Sequence, residues 1–224
     1  MSNEATPVRF VFKGQTVSVQ PADATRSVLQ WLREDAQACG TKEGCAEGDC
    51  GACTVIVAEL AERVPAGSRA VISQGLALRP VNACIRFLPT LHGKALLTVE
   101  DLAATNPAAL HPAQAALVAC HGSQCGFCTP GFAVSLAISH ERHAAGGPCP
   151  SRAELADDLA GNLCRCTGYR PILDAAEQML TQTEPRLPLA GLREQLQALQ
   201  SSPDTAHDGQ YHQPRSLARL ADLR

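Results

Sequence analysis

"GCAEGDCGAC", residues 44–53, places Cys45, Cys50 and Cys53 on one short loop with Gly44, Gly48 and Gly51 between and around them. The spacing C-x4-C-x2-C, completed by one downstream cysteine, is the ligand pattern of a plant-type [2Fe–2S] cluster. The best fourth ligand is Cys84, in "VNACIR". The glycines fit that chemistry. Bridging sulfides take hydrogen bonds from backbone N–H groups, so the chain must wrap closely, and Gly44, Gly48 and Gly51 can adopt the positive φ that wrapping requires. Glu47 and Asp49, beside an anionic cluster, favour its oxidised state. A structural zinc held by four thiolates is the competing reading, although such sites usually present two short CxxC pairs.

Working outward, the loop is preceded by a helix and followed by a strand. "VRFVF" (8–12) alternates, turns at "KGQ" and continues as "TVSVQ", which predicts a β-hairpin. "PADATRSVLQWLREDAQ" (21–37) predicts a helix capped by Thr25 or Ser27, with Val28, Leu29 and Leu32 as its apolar stripe. "TVIVAEL" (54–60) and "KALLTVEDL" (94–102) read as strands, and "AERVPAGSR" (61–69) as a surface excursion. The expectation to about residue 100 is a small sheet with one helix packed on it.

Beyond that point the pattern is helical. "HPAQAALVAC" (111–120) comes first, and "TPGFAVSLAISHERHA" (129–144) has Pro130 at its start. "SRAELADDLAG" carries a capping box from Ser151 to Glu154 and a stop at Gly161. "RPILDAAEQML" (170–180) has Pro171 in its first turn, and four such helices predict a compact bundle. From about residue 182 the chain is polar, with one amphipathic segment, "LAGLREQLQAL" (189–199).

Two further cysteine pairs sit in this region: Cys125 and Cys128 in "GSQCGFCTPG", and Cys164 and Cys166 in "GNLCRCTGYRP". A thioredoxin-like pair at 125–128 would need a βαβ setting that is absent. Instead each pair lies at a turn opening onto a helix. Helix N-termini offer N–H groups and positive dipole ends to an anionic cluster. On spacing alone zinc stays open here. Cys39, Cys120 and Cys149 lack partners at ligand spacing and read as unliganded thiols, and His121 reads as a solvated or core histidine before a ligand.

Composition sets limits. The 224 residues are 45% hydrophobic but only 4% aromatic, so the core must be aliphatic. A net charge of −3 argues against a nucleic-acid binder. The polar start "MSNEATPVRF" lacks a secretory signal, and no apolar run is long enough for a membrane span. Eleven cysteines, an odd number, in a reducing compartment argue against a disulfide framework, and the expected location is cytoplasmic.

A C-x4-C-x2-C loop followed by CGFCTPG and LCRCTGYRPI resembles the iron–sulfur part of the molybdenum hydroxylases, over roughly residues 5–182. "VNACIRFLPTLHGKALLTVEDL" (81–102) is most similar to the small subunits of the bacterial xanthine dehydrogenase branch. The closing "YHQPRSLARLADLR" (211–224) resembles the opening of a flavin domain. The stretch between the third and fourth ligands, 54–84, is longer than is common in the family.

The resemblance implies an α+β chain. A β-grasp, ferredoxin-like domain occupies 1–95, a four-helix [2Fe–2S]-binding domain 96–182, and a linker with the start of an FAD-binding domain 183–224. It implies two [2Fe–2S] clusters, on Cys45, Cys50, Cys53 and Cys84 and on Cys125, Cys128, Cys164 and Cys166. Gln124 and Cys166 would approach the pterin edge. The implied function is electron transfer within an oxidoreductase, from a molybdenum–pterin centre on a large subunit to FAD and NAD+. The implied substrate is a purine, xanthine going to urate. An aldehyde or another heterocycle is the alternative within the family, and a free-standing [2Fe–2S] carrier the alternative outside it. No residue of this chain is expected to touch substrate.

Overall fold

A computed structural model of the chain describes residues 7–20, 23–65, 67–103, 110–184, 186–200, 206–207, 211–214 and 216–222. The polar start at residues 1–6, and parts of the segment that resembles a flavin domain, lie outside the described residues.

The predicted hairpin forms from β1 (Val8–Phe12) and β2 (Gln15–Val19). Its two turn residues, Lys13 (φ 48°) and Gly14 (φ 70°), are both left-handed, the turn whose twist matches that of paired strands. Helix α1 (Val28–Glu34) follows. Ser27 is its N-cap: the Ser27 hydroxyl accepts from the Gln30 N–H while the Gln30 side chain accepts from the Ser27 N–H. The remaining strands are β3 (Thr54–Leu60), β4 (Val71–Ser73), β5 (Leu76–Asn82) and β6 (Ala95–Leu97).

The sheet runs β2-β1-β6-β3-β5-β4, with β1 and β6 parallel and every other pair antiparallel. The extra length between residues 54 and 84 becomes the edge strand β4. It hairpins onto β5 through Gln74 and Gly75, again both at positive φ.

The sheet is covered on both faces, where one helix on one face was expected. Along β3, Val55 and Val57 face α1, where Phe10 and Phe12 set their rings edge-on to Trp31 at 5.0 and 5.1 Å. Ile56, Ala58 and Leu60 face the helical half and share a core with Phe132 and Leu136. That is why "TVIVAEL" is apolar almost throughout, since a strand buried on both faces loses its alternation.

The four predicted helices are α2 (Pro112–Ala119), α3 (Thr129–Ala144), α4 (Arg152–Asp158) and α5 (Arg170–Met179). The Ser151–Glu154 capping box forms as expected. Helix α4 ends at Asp158, short of Gly161, because the chain tightens into i→i+3 bonds from Ala160 N to Asp157 O and from Asn162 N to Leu159 O. The amphipathic segment forms α6 (Leu192–Leu199), with Leu192, Leu196 and Leu199 buried. It packs on the sheet, and Gln195 donates to Gly14 O and Arg193 to Gly75 O. A short hairpin, β7 (Ala206–His207) with β8 (Tyr211–His212), and α7 (Leu217–Ala221) follow. Among the described residues no helix is long and apolar enough to cross a membrane.

Helix α2, which leads into the second cysteine loop, is capped by a buried histidine. His111 Nδ1 accepts from the Ala113 N–H at 3.1 Å, and its ring meets His140 edge-on at 5.2 Å. Burial, aided by the nearby His140 and Arg186, holds the imidazole down at about 3, against 6.5 for a free histidine. The unfolded chain therefore binds the proton first, and native stability falls as pH drops from 6.5 towards 3. About 2 kcal/mol is lost between pH 7 and pH 5 by linkage. His111→Asn keeps a good cap and does not titrate. Urea titrations at pH 5 and pH 7 are expected to show a flatter pH dependence for His111→Asn by that amount. Equal slopes in the two proteins would remove His111 as the titrating group.

Candidate metal centres

The first centre lies on the loop between α1 and β3, closed by the turn after β5. Cys45 Sγ accepts backbone N–H groups from Glu47 at 3.5 Å and from Asp49 and Cys50 at 3.3 Å, and Cys50 Sγ accepts from Cys45 N at 3.4 Å. Those N–H groups, Glu47's first, lower the Cys45 thiol to about 7, which favours the thiolate, the form able to ligate a metal. Cys53 and Cys84 bring their sulfurs within 3.3 Å of each other. Burial pushes the Cys53 thiol up to about 12, as expected for a group without a countercharge.

The wrapping uses φ > 0 at Gly48 (85°) and Gly51 (68°), and also at Ala46 (57°). Gly44 is not among the left-handed residues. It is glycine for space, since a Cβ there would lie 2.8 Å from Cys50 Sγ.

The second centre joins the turn before α3 to the turn before α5. Cys128 is partnered side chain to side chain with Cys164, and Cys125 with Cys166. Burial raises Cys128 to about 12. At Cys164 burial also acts upward, but the Thr167 hydroxyl at 3.2 Å and the N–H groups of Thr167 and Cys166 outweigh it and lower the thiol. The Cys164 N–H donates to Tyr169 Oη at 3.0 Å, and Tyr169 itself enters α5 at φ 68°. Cys125 and Cys166 are exposed and Cys164 is buried, so the centre has an open end and a closed one. Gln124 is also exposed, at the open end.

The thiols thus converge as four pairs: Cys45 with Cys50, Cys53 with Cys84, Cys125 with Cys166, and Cys128 with Cys164. Among the described residues no three His, Cys, Asp or Glu side chains converge to hold a single ion. Paired thiols suit a two-iron cluster, in which sulfides complete each iron's shell after two cysteines, better than a zinc that draws four thiolates to one point. Cys39 and Cys149 are exposed and stand apart from the pairs, Cys120 Sγ lies 2.8 Å from Gln178 Oε1, and His121 is exposed.

The two centres adjoin. Leu163, next to Cys164, donates its N–H to the carbonyl of Cys50 at 2.9 Å. Phe127, between Cys125 and Cys128, places its ring edge 3.7 Å from where a Gly44 Cβ would be. Asn162, one residue further back, is buried between the loops. Phe127 and Leu163 carried no signal in the sequence beyond adjacency to a cysteine, and Asn162, two positions before Cys164, carried none.

Two family models match the chain: the "2Fe-2S iron-sulfur cluster binding domain" over residues 10–86 and the "[2Fe-2S] binding domain" over residues 98–177. Human aldehyde oxidase is 38% identical over 175 residues, covering 78% of this chain and 12% of its own length. Aldehyde oxidase 1 of Cavia porcellus is 41% identical over 174 residues, covering 78% and 12%. The chain therefore spans about an eighth of these relatives. Among solved structures, a chain of quinoline 2-oxidoreductase from Pseudomonas putida 86 superimposes with a TM-score of 0.60 at 28% identity, covering 78% of this chain and 91% of that one. Aldehyde oxidoreductase from Desulfovibrio gigas gives 0.62 at 27% identity, covering 97% and 21%. The α+β fold, a ferredoxin-like sheet domain followed by a helical [2Fe–2S] domain, is common to them. With both iron–sulfur domains in this order, the chain belongs to the molybdenum hydroxylase family as its iron–sulfur component.

Proposed function

We propose that the chain is the electron relay of its enzyme, carrying electrons from a molybdenum–pterin centre on a large partner to FAD on another domain or subunit, in the cytoplasm. Cys45, Cys50, Cys53 and Cys84 would hold one [2Fe–2S] cluster in the domain of residues 1–95. Cys125, Cys128, Cys164 and Cys166 would hold the other in the domain of residues 96–182. When bound, such a cluster supplies one-electron redox chemistry to partners that exchange electrons in pairs. The residues of this chain bind, shield and align. The N–H groups aimed at Cys45 offset negative charge, the apolar core behind Cys53 and Cys164 excludes water, and the exposed Cys125–Cys166 end, with Gln124, would face a pterin.

The observation that carries the reading is the Leu163 N–H to Cys50 carbonyl bond, 2.9 Å long, because it ties the ligand loop of one site to that of the other. The names of the relatives favour an aldehyde or an aromatic nitrogen heterocycle as the substrate oxidised on the partner. Within that class xanthine remains the finer candidate, on the resemblance of residues 81–102.

Iron and acid-labile sulfide analysis with EPR of the dithionite-reduced chain tests the relay. Four irons, four sulfides and two distinct signals are expected. Zinc without sulfide, and no signal, would sink it. Co-purification should bring down a molybdenum protein, and the assembled enzyme, assayed on xanthine and on aldehydes, decides the substrate.

A further inference from the structure

We infer that Asn162 is a positioning residue that latches the two thiol centres at a fixed separation; the inference rests on the relay reading. Its side chain is 4% exposed and both of its polar atoms are hydrogen-bonded, the nitrogen across the seam and the oxygen to the helix behind it. Nδ2 donates to Gly51 O at 3.0 Å, on the first cysteine loop, and to Thr54 Oγ1 at 3.2 Å, at the start of β3. Oδ1 accepts from Ser135 Oγ of α3 at 2.7 Å. The amide has one workable orientation, because turning it over would set Oδ1 against the Gly51 carbonyl, acceptor to acceptor.

Gly51 O also accepts from Thr54 N at 3.1 Å and Thr54 Oγ1 at 2.7 Å, so the latch seizes a carbonyl already held between Cys50 and Cys53. One residue past the latch, Leu163 N–H reaches Cys50 O, and the next residue is Cys164. Asn162 therefore joins a ligand-bearing loop of each centre to the long helix behind both. A buried amide with three partners has no slack, and replacing its donor end by a carboxylate oxygen removes both bonds to the first loop and sets that oxygen against the Gly51 carbonyl, acceptor to acceptor.

Asn162→Asp is nearly isosteric, keeps the acceptor for Ser135 and removes the donor. Ser135→Ala removes only the group that aims the amide. The full chain with its clusters is the material, and two readouts report the latch. These are hydrogen exchange of the backbone segment containing Leu163, and the magnetic splitting between the two reduced clusters in low-temperature EPR. In Asn162→Asp exchange is expected to rise on the order of ten- to a hundredfold, the range set by a lost buried hydrogen bond. The splitting broadens, because the separation is no longer fixed, while the iron content and the g-values of each cluster stay as in the wild type. Ser135→Ala moves both readouts in the same direction by a smaller factor, and decides the matter if Asn162→Asp does not fold. Wild-type exchange together with wild-type splitting in the variants overturns the latch. A wild-type chain that takes up no clusters would overturn the relay instead, and exchange in that chain still scores the latch.

Discussion

Cys164→Ala is expected to cut the iron of the purified chain from four atoms to two and its sulfide in proportion, with one of the two EPR signals lost and the other unchanged. Cys164 is 8% exposed and partnered with Cys128. Removing its thiol leaves Cys128, itself pushed up to about 12 by burial, with no second donor for the same iron. Alanine offers no lone pair, and serine would be a weaker test because its oxygen can still ligate. The first centre keeps all four of its thiols, and its cluster persists. On the relay proposed above, oxidation of substrate by the assembled enzyme should fall to background. Cys149→Ala, at an exposed thiol outside every pair, is the control and should keep four irons. Four irons retained in Cys164→Ala would mean that the second set is wrongly assigned, and loss of all four that the centres do not assemble separately.

Gly131→Ala should destabilise the chain by about 3 kcal/mol, the upper part of the range for overpacking. The sign is the informative part. Gly131 lies in the first turn of α3, where its φ is unremarkable, and exchanging glycine for alanine inside a helix ordinarily gains roughly 1 kcal/mol. Here the added Cβ would sit well inside contact distance of the Gly51 carbonyl oxygen and 3.1 Å from Asn162 Nδ2. The obstacle is backbone on a loop pinned at Cys50 and Cys53, so it cannot swing aside as a flexible side chain would, and the clash outweighs the propensity. A drop in Tm of roughly 6–12 °C is expected for a chain of this size. A rise in Tm would show that the seam between the halves yields.

The second variant marks where sequence reading stops. The C-x4-C-x2-C loop, the CGFC and LCRC pairs, the Ser27 and Ser151 caps and the helix-opening prolines are local signals, and each was legible because one short stretch carries its whole cause. Helix α6 was legible as an amphipathic segment but not as part of the sheet's cover, because an apolar stripe says that something is covered and not what covers it. The strand "TVIVAEL" was legible as a strand, yet its second buried face awaited the helical half that lies on it.

What the sequence by itself determined, then, is the identity and spacing of the thiols, the order of a sheet domain before a helical one, and the residues able to wrap tightly around an anionic centre. Only the tertiary structure decided which thiols pair, that Gly44 is small for the sake of Cys50 Sγ while Ala46 takes the left-handed turn, and that Asn162 and Gly131 meet the Gly51 carbonyl. The physical reason is range. Backbone preference and ligand spacing act within a few residues, whereas Asn162 and Gly51 are separated by 111 positions and meet only when two faces of one core close on each other.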